Sequence, residues 1–375
     1  MMRLPRRFAP RNDKEKTMKN QTSVRILAAL GAHAEKTGLK AWAVGGFVRE
    51  RYLGKKTFDI DICVEGAIKP LVDFCIKNYR AQAQYFNDFG TARVVFADGL
   101  KLDFVRCRKE VYQKPAALPK VSPGNLADDL YRRDFTCNAW ALSILPGEFL
   151  KSYDLYDARI AIDKKFIKIL HPKSFEDDPT RVFRALRFAA RFSWRLESST
   201  EKLLRAAVKG NFINLLSRER VRQELLKILE EKNPLAAFKL TAKYAVAGFI
   251  YPGLKCPKTL AKVKDMPARL TLLALALGTR GGDFLKSLRL ERGLYKECAA
   301  LVDFYNNKQA LPKGLNDAQK KLIKLHAPKL PAAAMRPLAI SGGDLQARGL
   351  KGPAISAALK KAARAQFLGK IKIQK

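Results

Sequence analysis

The chain has 375 residues, enough for two to four modules with cores of their own. Apolar residues make up 47% and aromatics 9%, which excludes a disordered tail protein. The 72 Lys+Arg against 35 Asp+Glu leave a net charge of +37, and that excess points to a polyanionic partner, nucleic acid ahead of an anionic membrane surface.

In chain order, residues 1–22 read as a basic arm and 23–37 as an amphipathic helix with Ile26, Leu27, Leu30 and Ala34 on one side. Trp42 to Val44 is a short strand running into Gly45-Gly46 and a helix through Tyr52. Phe58 to Val64 alternates, with Phe58, Ile60 and Ile62 on one face and Asp59 and Asp61 on the other. A helix is expected over about 68–79. A hairpin follows, with strands at 93–96 and 101–106 around the tight turn Asp98-Gly99. The Pro- and Gly-rich stretch 112–125 reads as a loop. Beyond Leu130 helical signals dominate, apart from a strand near 166–170. They lie at 130–143, 178–191, 199–208, 217–231, 235–247, 267–278, 282–289, 294–306, 317–325 and 354–366. The last 75 residues carry 15 Lys+Arg against three acids, which suits a surface that grips RNA. The longest apolar stretch, Leu270 to Gly278, is too short to span a bilayer, so no membrane role is expected. Six cysteines without a C-x-x-C pair and only three histidines argue against zinc sites and disulfide frameworks, and fit a reducing cytoplasm.

Three features carry chemistry. Asp59 and Asp61, two apart on a strand, project from one face, and two hard oxygen donors so close suit Mg²⁺. Alone, such a pair is more often a solvated strand face. Asp103, on the second hairpin strand, is placed to bring a third carboxylate, giving a clamp for in-line phosphoryl transfer. Gly45-Gly46 between strand and helix lets backbone N–H groups approach phosphate, with Arg49 one turn on to neutralise it. Followed so soon by the D-x-D strand, this turn reads as a nucleoside triphosphate site. Finally, Asp178, Arg181, Arg184 and Arg187 lie three apart, a polar stripe on a helix whose buried side is Phe183, Leu186 and Phe188.

Five separated motifs then resemble one family. Gly45-Gly46-Phe-Val-Arg49 through Leu53-Gly54 to Asp59-Ile-Asp61 is similar to the head signature of class II tRNA nucleotidyltransferases and bacterial poly(A) polymerases. Arg132-Arg133-Asp134-Phe-Thr-Cys-Asn138-Ala resembles the family's second motif. Asp177-Asp178-Pro-Thr-Arg181 through Phe188 resembles its base-reading motif. Glu219-Arg220-Val-Arg222-Gln-Glu224 looks like its neck–body helix, and Ser341-Gly-Gly-Asp344 with Gly369-Lys370 its tail. Glu50 and Asp177 depart from the usual Asp and Glu. The resemblance implies an α+β fold with a polymerase-β-like nucleotidyltransferase head at 23–145. After it come an all-helical neck at 146–215, body at 216–306 and basic tail at 307–375.

It also implies that Asp59 and Asp61 hold Mg²⁺, with Asp103 at the third position, and that Arg133, Asp134 and Asn138 contact the nucleotide's sugar and phosphates. Asp178 and Arg181 would read its base, with Arg184 and Arg187 of the same motif in the nucleotide site. Cytosine and adenine each present an amino donor beside a bare ring nitrogen, which an Asp–Arg pair matches, whereas uracil and guanine present a carbonyl beside N–H. The implied function is addition of C and A to the tRNA 3′ end from CTP and ATP. The alternatives are A-only or CC-only addition, poly(A) synthesis, or RNA binding on an inactive scaffold.

Overall fold

The computed structural model describes residues 13–86, 90–306, 308, 311, 315, 317–326, 332–338 and 340–370, with side chains from Ser23 onward except at 318, 326, 332 and 333. Residues 1–12 of the expected basic arm lie outside the described residues, while Asp13 onward is helical. The chain divides into two compact units. One comprises the chain up to Asp178 together with Trp194–Leu203; the other comprises Pro179–Ser193 and everything from Leu204.

The first unit opens with α1 (Asp13–Lys36), β1 (Lys40–Val44), α2 (Gly46–Tyr52), β2 (Asp59–Glu65) and α3 (Lys69–Tyr79). Then come β3 (Gln82–Phe86), β4 (Thr91–Val95), β5 (Lys101–Arg106), β6 (Arg108–Val111), β7 (Lys120–Pro123), α4 (Leu126–Tyr131), β8 (Ala141–Ser143) and β9 (Ser152–Tyr153). Up to Asp178 the unit continues with α5 (Ala158–Asp163), β10 (Phe166–Ile167) and α6 (Ser174–Asp177), and its later segment, Trp194–Leu203, adds one short strand and the start of a helix given below. Seven strands form one sheet in the order β3-β4-β5-β2-β1-β8-β9, with only β2 and β5 parallel. The central strand is β2, where Ile60, Ile62 and Val64 are fully buried, as β-branched residues on a pleated surface favour. Helix α1 packs Ile26, Leu27, Leu30 and Ala34 into the core. Gly31 lets it do so, because a Cβ there would lie 1.7 Å from the carbonyl oxygen of Ile144.

Three expectations are corrected in this unit. The helix expected over 130–143 is instead the end of α4, a single 3-10 turn at Thr136–Asn138 and β8, which pairs with β1 at Val44↔Ala141. The stretch 112–125, expected as a loop, contains β7, which pairs with β6 as a two-stranded ribbon in register from Arg108↔Pro123 to Val111↔Lys120. The head limit at 145 falls between β8 and β9 of the same sheet. Short apolar runs such as Ala141 to Ser143 have no period of their own; pairing with β1 decides them.

The rest of the chain is helical. It runs through α7 (Thr180–Phe192), a short β11 (Arg195–Leu196) parallel to β10, α8 (Ser198–Lys209), α9 (Arg218–Glu230), α10 (Pro234–Lys243), α11 (Ala247–Ile250) and α12 (Met266–Ala276). It continues with α13 (Gly281–Ser287), α14 (Arg292–Asn306), α15 (Asp317–His326), α16 (Gly342–Ala347) and α17 (Pro353–Phe367). In the second unit α7 packs against α9 and α10, and α12 against α9, α13, α14 and α15. Buried Arg269 of α12 donates to the carbonyls of Val263, Leu229 and Glu231, closing the C-terminal end of α9, whose last carbonyls lack partners within the helix. Among the described residues no helix is long and apolar enough to cross a membrane.

Candidate active site

The D-x-D strand is where the alternation puts it. Asp59 opens β2 with its side chain 71% exposed, 3.8 Å from Lys101 Nζ. Asp61 is more enclosed and lies in register between Val44 of β1 and Asp103 of β5. Burial pushes the Asp61 carboxyl up from its ordinary range. Arg133 opposes the shift, and Asp103, Asp129 and Asp59 add to it. Burial is thus the main cause, and the neighbouring carboxylates add to it against Arg133.

Asp103 sits beside Asp61 as expected, but its carboxylate is gripped by Arg93, directly opposite on β4, through Nε at 2.7 Å and Nη2 at 2.8 Å. Among the described residues no three His, Cys, Asp or Glu side chains form a ready cation site. The structure thus shows two carboxylates on β2 with the third, Asp103, beside them and held by an arginine. Asp59 and Asp61 still fit a hard divalent cation. They offer carboxylate oxygens from one strand face, and Asp61 lies in register beside the third carboxylate, Asp103.

Above this strand the chain turns at Gly45, with φ +70° and ψ −125°, a conformation open to glycine. Its N–H donates to Trp140 O, and its carbonyl accepts from Arg49 N in the first turn of α2. A Cβ on Gly45 would lie 2.6 Å from Arg133 Nη1 and 3.4 Å from Asp61 Oδ2, so the turn touches both. Gly46 opens α2. Arg49 is buried and donates through Nε and Nη2 to Glu50 Oε1 at 3.2 and 3.0 Å, and through Nη1 to Asn138 Oδ1. Asn138 Nδ2 in turn donates to Asp134 Oδ1 at 2.8 Å, which also accepts from Phe135 N. The departure at Glu50 therefore acquires a definite contact. Its longer arm folds back onto the neighbouring arginine.

Arg133 donates to Asp129 Oδ2 at 2.9 Å and to Asn138 O at 3.5 Å, while its buried Nε has no hydrogen-bond partner. Asp129 was not among the residues singled out by motif. It is fully buried on α4 and also accepts from Arg132 Nε and Nη2 at 2.8 and 2.5 Å. Its sequence signal is weak but physical. It stands three and four residues before Arg132 and Arg133, where one helical turn brings side chains together.

The base-reading stripe is corrected in two respects. Asp178 is extended (φ −135°, ψ 90°) and lies outside α7, which begins at Thr180 with Pro179 as its N-cap. Nor do the arginines form an outer stripe. Arg181 is 4% exposed and Arg187 5%, with Arg184 half-buried. Arg187 pairs with Glu231 at 3.3 Å and Glu224 at 4.0 Å, and Glu231 also binds Arg191 at 2.5 Å. Arg184, Arg187 and Arg191 all lie over the ring of Phe188, 5.5, 4.9 and 5.2 Å from its centre. Arg187 thus binds α7 to α9. Glu231→Ala should cost about 3 kcal/mol, because it leaves a buried guanidinium with one distant partner. A lower melting midpoint than that of Arg191→Ala checks this, and an unchanged midpoint refutes it.

The poly(A) polymerase head domain family matches residues 41–168, the stretch that carries the Gly45 turn, the D-x-D strand, Asp103 and Arg133 to Asn138. A second family, described as the probable RNA and SrmB-binding site of polymerase A, matches residues 195–256. The chain belongs to the class II tRNA nucleotidyltransferase and bacterial poly(A) polymerase family. It is 38% identical over 250 residues to an A-adding tRNA nucleotidyltransferase of Geobacter sulfurreducens, covering 66% of this chain and 28% of that protein. A solved CCA-adding enzyme, in its apo form II, superposes with a TM-score of 0.67 at 26% identity, covering 96% of this chain and 98% of that one. A tRNA nucleotidyltransferase complexed with a primer tRNA and an incoming ATP analogue gives 0.63 at 28% identity, covering 91% and 98%. The chain spans about a quarter to a half of the length of the first curated relatives it matches.

Proposed function

We propose that this family member is an enzyme that extends the 3′ end of tRNA without a nucleic-acid template, adding C and A from CTP and ATP, in the cytoplasm. The observation that carries the reading is the meeting of the Gly45 turn, Arg133 and the Asp61 carboxylate within one side-chain contact of each other. Asp59 and Asp61 would hold Mg²⁺, which when bound activates a hydroxyl toward the α-phosphorus and neutralises the departing pyrophosphate. The backbone of Gly45 and Gly46 and the guanidiniums of Arg49 and Arg133 receive the triphosphate. Asp134 and Asn138, already joined by a hydrogen bond, orient the sugar side. Asp178 and Arg181 would read the base, Arg184 being the next arginine along α7. Arg187, tied to Glu224 and Glu231, supports that helix from behind.

A second reading, addition of A alone, is favoured by the 38% identity to an A-adding relative. The test uses purified protein, Mg²⁺ and tRNA transcripts ending before CCA, after C, and after CC, each given single nucleotides and then CTP with ATP. Stepwise C, C, A with refusal of U and G is the expected result. A added only to the CC-ended transcript selects the second reading. No extension of any transcript overturns both.

A further inference from the structure

We propose that Asp129 is a positioning residue for the nucleotide site: it fixes the guanidinium of Arg133 against the Gly45 turn and beside Asp61. This rests on the reading of Arg133 as a nucleotide-binding group.

The argument starts from where α4 is pinned. Its N-terminus is closed by a capping box, Asn125 accepting from Asp128 N and Asp128 accepting from Asn125 N. Its first free N–H, on Leu126, donates to Glu65 Oε1 at 2.8 Å, and Glu65 is the last residue of β2. The helix that carries Asp129 is therefore anchored to the same strand that carries Asp59 and Asp61. Asp129 itself is fully buried, and burial alone would raise its carboxyl. Arg133 and Arg132 overcome that and hold it below the ordinary range, so it stays a carboxylate. One oxygen takes Arg132 and the other takes Arg133.

On the far side, Arg133 Nη1 reaches the carbonyl of Asn138 and the surface of Gly45, and its charge is shared between Asp129 and Asp61. A long arginine loses much rotamer freedom when fixed, and Asp129 supplies the contact that makes one position dominant. The unpartnered Nε leaves Arg133 with a donor that no protein group satisfies. Asp129 thus has no path to the substrate of its own; its effect passes through Arg133.

A structural ion pair and a positioning pair make different predictions, because Asp129 clamps two arginines and only one faces Gly45. CTP and ATP binding would be measured by calorimetry in Mg²⁺ without tRNA, alongside kcat and KM for extension. Asp129→Asn is expected to weaken nucleotide binding about tenfold, with KM rising and kcat within about threefold, as loss of a uniformly used binding group gives. Arg132→Gln, which breaks the other half of the clamp, is expected to leave nucleotide affinity within about twofold. Asp129→Asn added to Arg133→Gln should cost nothing further, since both act through one guanidinium. Should Asp129→Asn fail to fold, Asp129→Asn with Arg132→Gln removes one charge of each sign and is expected to show the same tenfold loss. Native affinity in folded Asp129→Asn, while Arg133→Gln is weak, overturns the inference alone. Native affinity in Arg133→Gln overturns the nucleotide assignment of Arg133 and the inference with it.

Discussion

Asp61→Asn is expected to lower the rate of nucleotide addition to tRNA by about three orders of magnitude or more while leaving the fold and tRNA affinity intact. The size follows from the chemistry. A thousandfold is about 4 kcal/mol of lost transition-state stabilisation, within what removing one ligand of a catalytic cation costs. The absence of a folding penalty follows from the surroundings. Burial and the carboxylates of Asp103, Asp129 and Asp59 disfavour the charge on Asp61, so the neutral, isosteric amide relieves repulsion at the expense of the attraction to Arg133 and Arg93. Activity and stability should therefore move separately, the mark of a group kept for function rather than for the core. Asp59→Asn, at an exposed position, should show the same loss with even less effect on unfolding. The measurement is single-turnover extension of a CC-ended tRNA beside a thermal melt. Extension by Asp61→Asn at a near-native rate would remove this strand from the reaction.

What the sequence made legible here is what local periodicity can carry. A period of two put Asp59 and Asp61 on one face of β2 and buried Ile60 and Ile62 beneath them, and the hairpin turn at Asp98-Gly99 marked β5, the strand that carries Asp103. The helices of the second unit followed their apolar spacing within a few residues. What escaped was decided by distant partners. Arg187 is buried because Glu224 and Glu231 arrive on another part of the chain, which no spacing within α7 announces. Asp103 faces Arg93 because two antiparallel strands place them opposite each other, a matter of register rather than composition. Asp178 is a different case, for the signal was present: the residue before a proline is pushed out of the helical region, and Pro179 follows it. The turn at Gly45 was visible as Gly-Gly, but not which glycine is indispensable.

That distinction yields the second large effect. Gly45→Ala is expected to cut kcat/KM for nucleotide addition about a hundredfold. At φ +70° an alanine is strained whatever the space around it, and its Cβ would stand 2.6 Å from Arg133 Nη1. A flexible arginine could ordinarily swing aside. Here Asp129 holds Nη2, Asn138 O holds Nη1, and Asp61 Oδ2 closes the other side at 3.4 Å from the new methyl. The strain must be released by moving either the turn or the guanidinium, and both belong to the site proposed to receive the triphosphate; a displacement near 1 Å is worth about a hundredfold. At Gly46 an added Cβ meets nothing nearer than Arg49 Nη2 at 3.7 Å, and the backbone is ordinary. Gly46→Ala therefore leaves Arg133 where it is, and any loss there reports room for the ligand alone. If the two alanine variants lose activity equally, Gly45 serves only as a generic turn, and the contact between that turn and Arg133 has no part in holding the nucleotide.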